Sequence, residues 1–155
     1  PGGGQQYGIR SGTQPVALAC GFAAALRACL DEFDAMTARY QSWRERIIAW
    51  CRQQPEVAID DAPLTSPSII HISIAGTRGT DVVMLADRDG VDLSAGSACH
   101  AGVSRPSPTM LAMGRDEDAA SSGLRISIGY TTTDADIDRL LAVLPAAILK
   151  ASGAR

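Results

Sequence analysis

Residues 68–75 read SIIHISIA, set between Pro67 and Gly76. Ile69, Ile70, Ile72 and Ile74 are β-branched, stiff at the first side-chain torsion, and partly alternate with Ser68, His71 and Ser73. That composition predicts a strand following a loop bounded by Pro63 and Pro67. A lone histidine in such a strand, here His71, reads more readily as hydrogen-bonded structure than as a ligand. Residues 124–128 read LRISI and alternate in the same way, so Arg125 points opposite Leu124 and Ile126. A third, short strand is expected at Val91 to Leu93.

Helical patterns separate these strands. Thr80 to Asp89 predicts a short helix with Val82, Val83, Leu85 and Ala86 on its buried side and Gly90 as the C-cap. The stretch from Ser94 to Pro108 holds glycine, serine and proline without periodicity and reads as a loop. A short helix spans Thr109 to Met113 and stops at Gly114. Thr133 is the N-cap of a last helix whose stripe is Ile137, Leu140, Leu141, Leu144 and Ile148, with Asp134 and Asp136 favouring its first turn.

Upstream, Thr13 is a plausible N-cap and Pro15 suits a first helical turn, where a missing N–H costs nothing. From Val16, the residues Leu18, Phe22, Leu26, Cys29, Phe33, Met36, Tyr40, Trp43, Ile47 and Trp50 recur at three- and four-residue steps. They describe one apolar stripe, on one long helix or on two joined near Asp31 to Asp34, and Pro55 ends it. Cys20, Cys29 and Cys51 read as small core hydrophobes, and Trp43 and Trp50 as core packing. Strands separated by helices, with no repeats, imply the α/β class: a small sheet with helices packed on it behind a long N-terminal helix.

The bulk numbers bound the function. At 155 residues and 46% hydrophobic, the chain suits one domain with a real core. A formal net charge of -3 gives no electrostatic reason to expect nucleic acid or an anionic membrane surface. No apolar run approaches the roughly 20 residues that span a bilayer. The cysteines show no C-x-x-C and no paired Cys/His spacing, which argues against a disulfide framework or structural zinc and for reduced thiols in the cytoplasm. The start, PGGGQQYGIRSG, has no signal-peptide pattern and no Met, and reads as an internal cut. Lys150 is the sole lysine, so chemistry needing an internal Schiff-base lysine must find it elsewhere.

Three features could carry chemistry. Cys99 sits in LSAGSACHAG, residues 93–102, among residues too small to bury it. A thiol in such a loop can travel between a substrate and an acceptor, and His100 or Arg105 could favour its thiolate; a small filler is the alternative. Arg125, flanked by apolar residues, needs an anion: either an internal Asp or the α-carboxylate of an amino acid held bidentately. Residues 2–13, GGGQQYGIRSGT, can offer backbone N–H groups and hydroxyls to a phosphate but match neither a Walker loop nor G-x-G-x-x-G. A Cys-His protease lacks marked orienting and oxyanion groups, and the deaminase signatures are missing.

In their order, GGGQQYGIRSGT, a long helix, SAGSACHAGVSRPSPTMLAMG and SGLRISIGYTTTDADIDRLL closely resemble the C-terminal part of the cysteine desulfurases, in the class V aminotransferase family of fold-type I pyridoxal-phosphate enzymes. The resemblance runs from Gly2 to about Ile148. It implies that residues 1–155 are a single C-terminal domain of a larger enzyme, with residues 1–13 from the dimer and cofactor edge and the cofactor-binding N-terminal domain absent. It implies that Cys99 takes sulfur from L-cysteine as a persulfide, giving L-alanine. Arg125 would grip the substrate carboxylate, and Thr13 would reach across a homodimer to the phosphate of pyridoxal 5'-phosphate in the other subunit. The sulfur would pass to an acceptor or scaffold protein, as in iron–sulfur cluster assembly. Because the family's Schiff-base lysine is not in this chain, the chain alone is expected to be inactive. Pro106 to Leu111, PSPTML, stands where many desulfurases have PSHVL, and Pro67 to His71, PSIIH, where many have P-N-I-x-N. The C-H after the loop alanine resembles selenocysteine lyases, an alternative reading. A non-catalytic dimerisation or persulfide-carrier module is another.

Overall fold

The computed structural model describes residues 2–60, 65–96 and 106–153. Its contacts divide into two units, residues 1–36 and 37–155.

The first unit holds the glycine-rich segment and helix α1, Val16–Asp31. Thr13 is not the cap: the helix starts at Val16, with Pro15 at its N-cap and no side-chain hydrogen bond there. Proline disfavours helical backbone in the residue before it, so Gln14 cannot join the helix and the start shifts past Thr13. α1 buries none of its residues. Cys20 and Cys29 are therefore exposed, and their expected burial fails because the apolar stripe of α1 remains open to solvent. Glu32 interrupts the helix, which settles the question of one helix or two: α2 runs Phe33–Cys51.

In the second unit, the strands are β1 Val57–Ile59, β2 Ile69–Ile74, β3 Ser94–Ala95 and β4 Gly123–Ser127. They form one sheet in the order β1-β2-β4-β3 with every pairing antiparallel. Because β2 and β3 both run antiparallel to β4, they are parallel to one another, and helix α3, Gly79–Arg88, joins them. The strand-helix-strand order expected from sequence is present, but its second strand is Ser94–Ala95, inside the stretch read as a loop, and not Val91 to Leu93. β1 was not expected. Neither was α5, Glu117–Ser121, which follows α4, Pro108–Ala112.

The core lies on one face of the sheet. Ile70, Ile72, Ile74, Leu124 and Ile126 are buried there with Trp43, Ile47 and Cys51 of α2, Val82 and Ala86 of α3, and Ile137, Leu140, Leu144 and Ile148 of α6, Asp134–Ser152. Burial of each large aliphatic side chain contributes about 1.5–3 kcal/mol before entropy is counted. Trp50 packs at the edge of this cluster. The Trp43 indole Nε1 donates to Asp134 Oδ1 at 2.8 Å, tying α2 to the start of α6. Thr133 caps α6 in a reciprocal box with Asp136.

Val91 to Leu93 is not a strand. Gly90 takes φ +78°, and the Val91 N–H donates to Ala86 O at 3.0 Å while Gly90 N–H donates to Asp87 O at 2.8 Å. These bonds close the end of α3 as a Schellman cap and commit Val91 to it. Pairing with β4 starts only at Ser94, opposite Arg125.

Candidate functional site

The polar face of the sheet carries the candidate site. Alternation along β2 sends Ile70, Ile72 and Ile74 to the core, which leaves His71 and Ser73 on the other side. On β4, Leu124 and Ile126 are buried and Arg125 is exposed. Register then builds a row: His71 pairs with Arg125, and Arg125 pairs with Ser94 of β3. Past the end of β1, the Asp60 N–H donates to His71 O at 2.9 Å, so Asp60 extends the row. Across four adjacent strands it reads Asp60, His71, Arg125, Ser94.

The Asp60 side chain is only 2% exposed. Burying a carboxylate requires donors, and Asp60 has three. His71 Nδ1 lies 2.9 Å from Oδ2, the Ser73 hydroxyl donates to Oδ2 at 2.6 Å, and the Arg115 guanidinium pairs with Oδ1. A carboxylate only accepts, so the His71 hydrogen sits on Nδ1 and the opposite ring edge carries Nε2. That edge overlies Gly123, where a Cβ would meet His71 Cε1 at 3.0 Å and Nε2 at 3.1 Å. A Cβ there would crowd that ring edge by a few tenths of an ångström, so glycine leaves the imidazole room against the neighbouring strand. His71 is thus hydrogen-bonded structure, as its strand context suggests.

Arg125 differs. Among the described residues, no carboxylate and no carbonyl pairs with it, and Asp60 is already engaged by others. An exposed guanidinium with no internal partner, on a polar sheet face, has its donor fork available to an external anion.

Cys99, with His100 and Arg105, lies outside the described residues. The described chain stops at Gly96, directly after β3, and resumes at Pro106. Ser107 then anchors the far side: its N–H donates to Ala120 O at 3.0 Å, and its side chain caps α4 by accepting from Met110 N. The described residues that precede Cys99 in sequence thus end beside β3, the strand paired with Arg125.

Thr13 belongs to the first unit. The Arg10 guanidinium donates to the carbonyls of Ser11, Gly12 and Thr13 at 3.3, 3.3 and 3.1 Å, and Gly12 N–H donates to Gln5 Oε1 at 3.1 Å. Gln6 and Tyr7 take φ +53° and +57°, a left-handed pair unusual for residues with a side chain. These bonds curl the segment on itself and leave the Thr13 side chain exposed, with no partner among the described residues. That hydroxyl is open to an external group. Lys150 does not fit the aldehyde end of a cofactor: it stands exposed on the last turn of α6. Among the described residues, no group of three or more His, Cys, Asp or Glu side chains could hold a metal ion, and no helix is long and apolar enough to cross a membrane.

A family model described as aminotransferase class-V matches residues 3–140. The chain belongs to that family. It is 39% identical over 153 residues to an IscS-like cysteine desulfurase of Mycobacterium tuberculosis, a match covering 97% of this chain and 39% of that protein. It is 37% identical over 139 residues to the human cysteine desulfurase, covering 88% of this chain and 30% of the human one. Among solved structures, a NifS-like protein from Rickettsia africae superposes with a TM-score of 0.79 at 25% identity, over 94% of this chain and 38% of that one. The chain thus spans well under half the length of these relatives, and its helices and small antiparallel sheet are those of NifS-like proteins.

Proposed function

We propose that residues 1–155 form the C-terminal domain of a pyridoxal-phosphate-dependent cysteine desulfurase that works as a homodimer, with residues 1–13 at the dimer and cofactor edge. Pyridoxal phosphate, when bound, supplies the electron sink that weakens the substrate Cβ–S bond. Thr13 holds the phosphate of the partner subunit's cofactor through its free hydroxyl. Arg125 binds the carboxylate of L-cysteine bidentately and sets the distance of the sulfur from the loop thiol. The Cys99 thiolate attacks that sulfur: the Cβ–S bond breaks, an S–S bond forms, and Cβ gains a proton. The products are L-alanine and a Cys99 persulfide, which an acceptor protein then collects. Names of relatives at 39% and 37% identity favour cysteine over selenocysteine as substrate.

The observation that carries this reading is Arg125, exposed and without an acidic partner among the described residues, paired with β3, which precedes Cys99 in sequence. In the full-length, cofactor-loaded protein, Cys99→Ala should abolish sulfide release from cysteine under reductant while cofactor absorbance stays intact. Arg125→Ala should raise KM for cysteine on the order of a hundredfold, the loss of a charge-assisted bidentate contact. Unchanged turnover in Cys99→Ala removes the thiol from the reaction.

A further inference from the structure

The row Asp60, His71, Arg125, Ser94 sets Asp60 two strands from Arg125 in register, with His71 on the strand between them and its ring reaching over to Gly123 of β4. Neighbouring strands lie about 4.8 Å apart, so the Asp60 and Arg125 backbones stand roughly 10 Å from one another. Side chains of an aspartate and an arginine together span that gap. Yet the two do not pair: Asp60 is turned toward His71, Ser73 and Arg115. The imidazole is fixed on both sides, by Asp60 at Nδ1 and by the bare Gly123 backbone under its other edge.

We propose that His71, held by Asp60, is a positioning residue that keeps Arg125 open to an incoming α-carboxylate by barring the internal carboxylate from it. This rests on the carboxylate-binding reading of Arg125 given above. Arg115 completes the arrangement by pairing with Oδ1 of Asp60, the oxygen that His71 does not hold, so the buried charge is satisfied without drawing on the substrate-binding guanidinium. The ligand class follows: a small amino acid whose carboxylate competes with Asp60 for one guanidinium.

Removing the imidazole opens the gap and lets Arg125 turn to Asp60, an internal competitor that substrate must displace. In the full-length, cofactor-loaded protein, His71→Ala should raise KM for cysteine about tenfold with kcat within about twofold, the signature of lost ground-state binding. Adding Asp60→Asn in the His71→Ala background should return KM to within about threefold of the wild type, because the competing charge is gone. His71→Asn should also rescue, since its side-chain amide donates to Asp60 from near the position of Nδ1. A readout apart from turnover is phenylglyoxal labelling of Arg125, followed by peptide mass spectrometry: slower in His71→Ala, restored in the double variant.

A His71→Ala KM defect that Asp60→Asn does not relieve, or unchanged labelling of Arg125 in His71→Ala, overturns the inference and leaves His71 a packing residue. If Arg125→Ala itself leaves KM unchanged, the carboxylate reading of Arg125 fails and takes this inference with it. The Arg125→Ala result therefore separates the two failures.

Discussion

Helices α1 and α6 carry the same kind of apolar stripe and meet opposite fates. On α6, Ile137, Leu140, Leu144 and Ile148 are buried against the sheet. On α1, Leu18 is 75% and Phe22 72% exposed. Periodicity of 3.6 specifies that a helix has an apolar face; it says nothing of what covers that face. The sheet supplies the cover for α6, and its strands are drawn from residues of the same unit. α1 has the stripe without the cover.

The largest expected effect tests that contrast directly. Leu144 is fully buried, so Leu144→Ala should cost about 3–4 kcal/mol in urea unfolding, from lost transfer energy and the cavity left behind. Phe22→Ala should cost less than about 0.5 kcal/mol in the same chain. A Phe22→Ala loss near that of Leu144→Ala would break the comparison, because it would require a cover on α1.

The thiols sharpen it further. Cys20 and Cys29 on α1 are exposed, whereas Cys51 at the end of α2 is buried. Burial pushes the Cys51 thiol from 9.0 up to about 11, a backbone hydrogen bond offsetting part of the rise. The folded state therefore holds its proton where the unfolded chain has released it. Stability from this group is complete below pH 9.0 and falls as pH rises toward about 11. The fall amounts to something on the order of 2 kcal/mol. Chemical unfolding at several alkaline pH values should show this slope in the wild type and lose it in Cys51→Ala. In the native state at neutral pH, a thiol reagent should label Cys20 and Cys29 promptly and Cys51 only on unfolding. Prompt labelling of Cys51 would place it with α1 rather than with the core.

Legibility followed the same physical division. Long or strongly patterned elements could be read from sequence: SIIHISIA became β2, LRISI became β4, and Thr133 capped α6 as its side chain and the following aspartates imply. Short elements mostly could not, α4 excepted: a helix was expected at Thr109 to Met113 and forms at Pro108–Ala112, marked by its own proline and Ser107 cap. β1 has three residues and α5 five, too few for either period to emerge. Val91 looked like strand because it is β-branched and apolar, but its burial belongs to the cap that closes α3. Cys20 and Cys29 were misjudged for the reason α1 itself was: the stripe was visible and its missing cover was not. At the site, Arg125 was legible as the polar member of an apolar strand, and His71 as a hydrogen-bonded one. Their adjacency was not, because it depends on strand register, which only the assembled sheet fixes. One signal was available: His71 and Arg125 are both the polar positions of amphipathic strands, so pairing those strands puts them on one face. Asp60 gave no such signal, since β1 was itself invisible.

The smallest effect separates the two helices at their N-termini. α1 starts on Pro15 with no side-chain cap. α6 starts on Thr133, whose hydroxyl both accepts from the Asp136 N–H and donates to Asp136 Oδ2, while the Thr133 N–H also donates to Oδ2. Thr133→Ala should therefore cost about 1 kcal/mol, the usual value of a lost N-cap. The Asp136 carboxyl sits below its ordinary 3.8, first through the Thr133 hydroxyl and second through the Thr133 backbone N–H. A lowered carboxyl stabilises the fold above pH 3.8, and that contribution disappears as the pH drops below it. Thr133→Ala removes the larger cause and keeps the smaller, so the acid-side decline should become shallower without vanishing. Equal acid slopes in wild type and variant would mean that the hydroxyl does not hold the carboxylate, and that α6 owes its start to the sheet beneath it rather than to its cap.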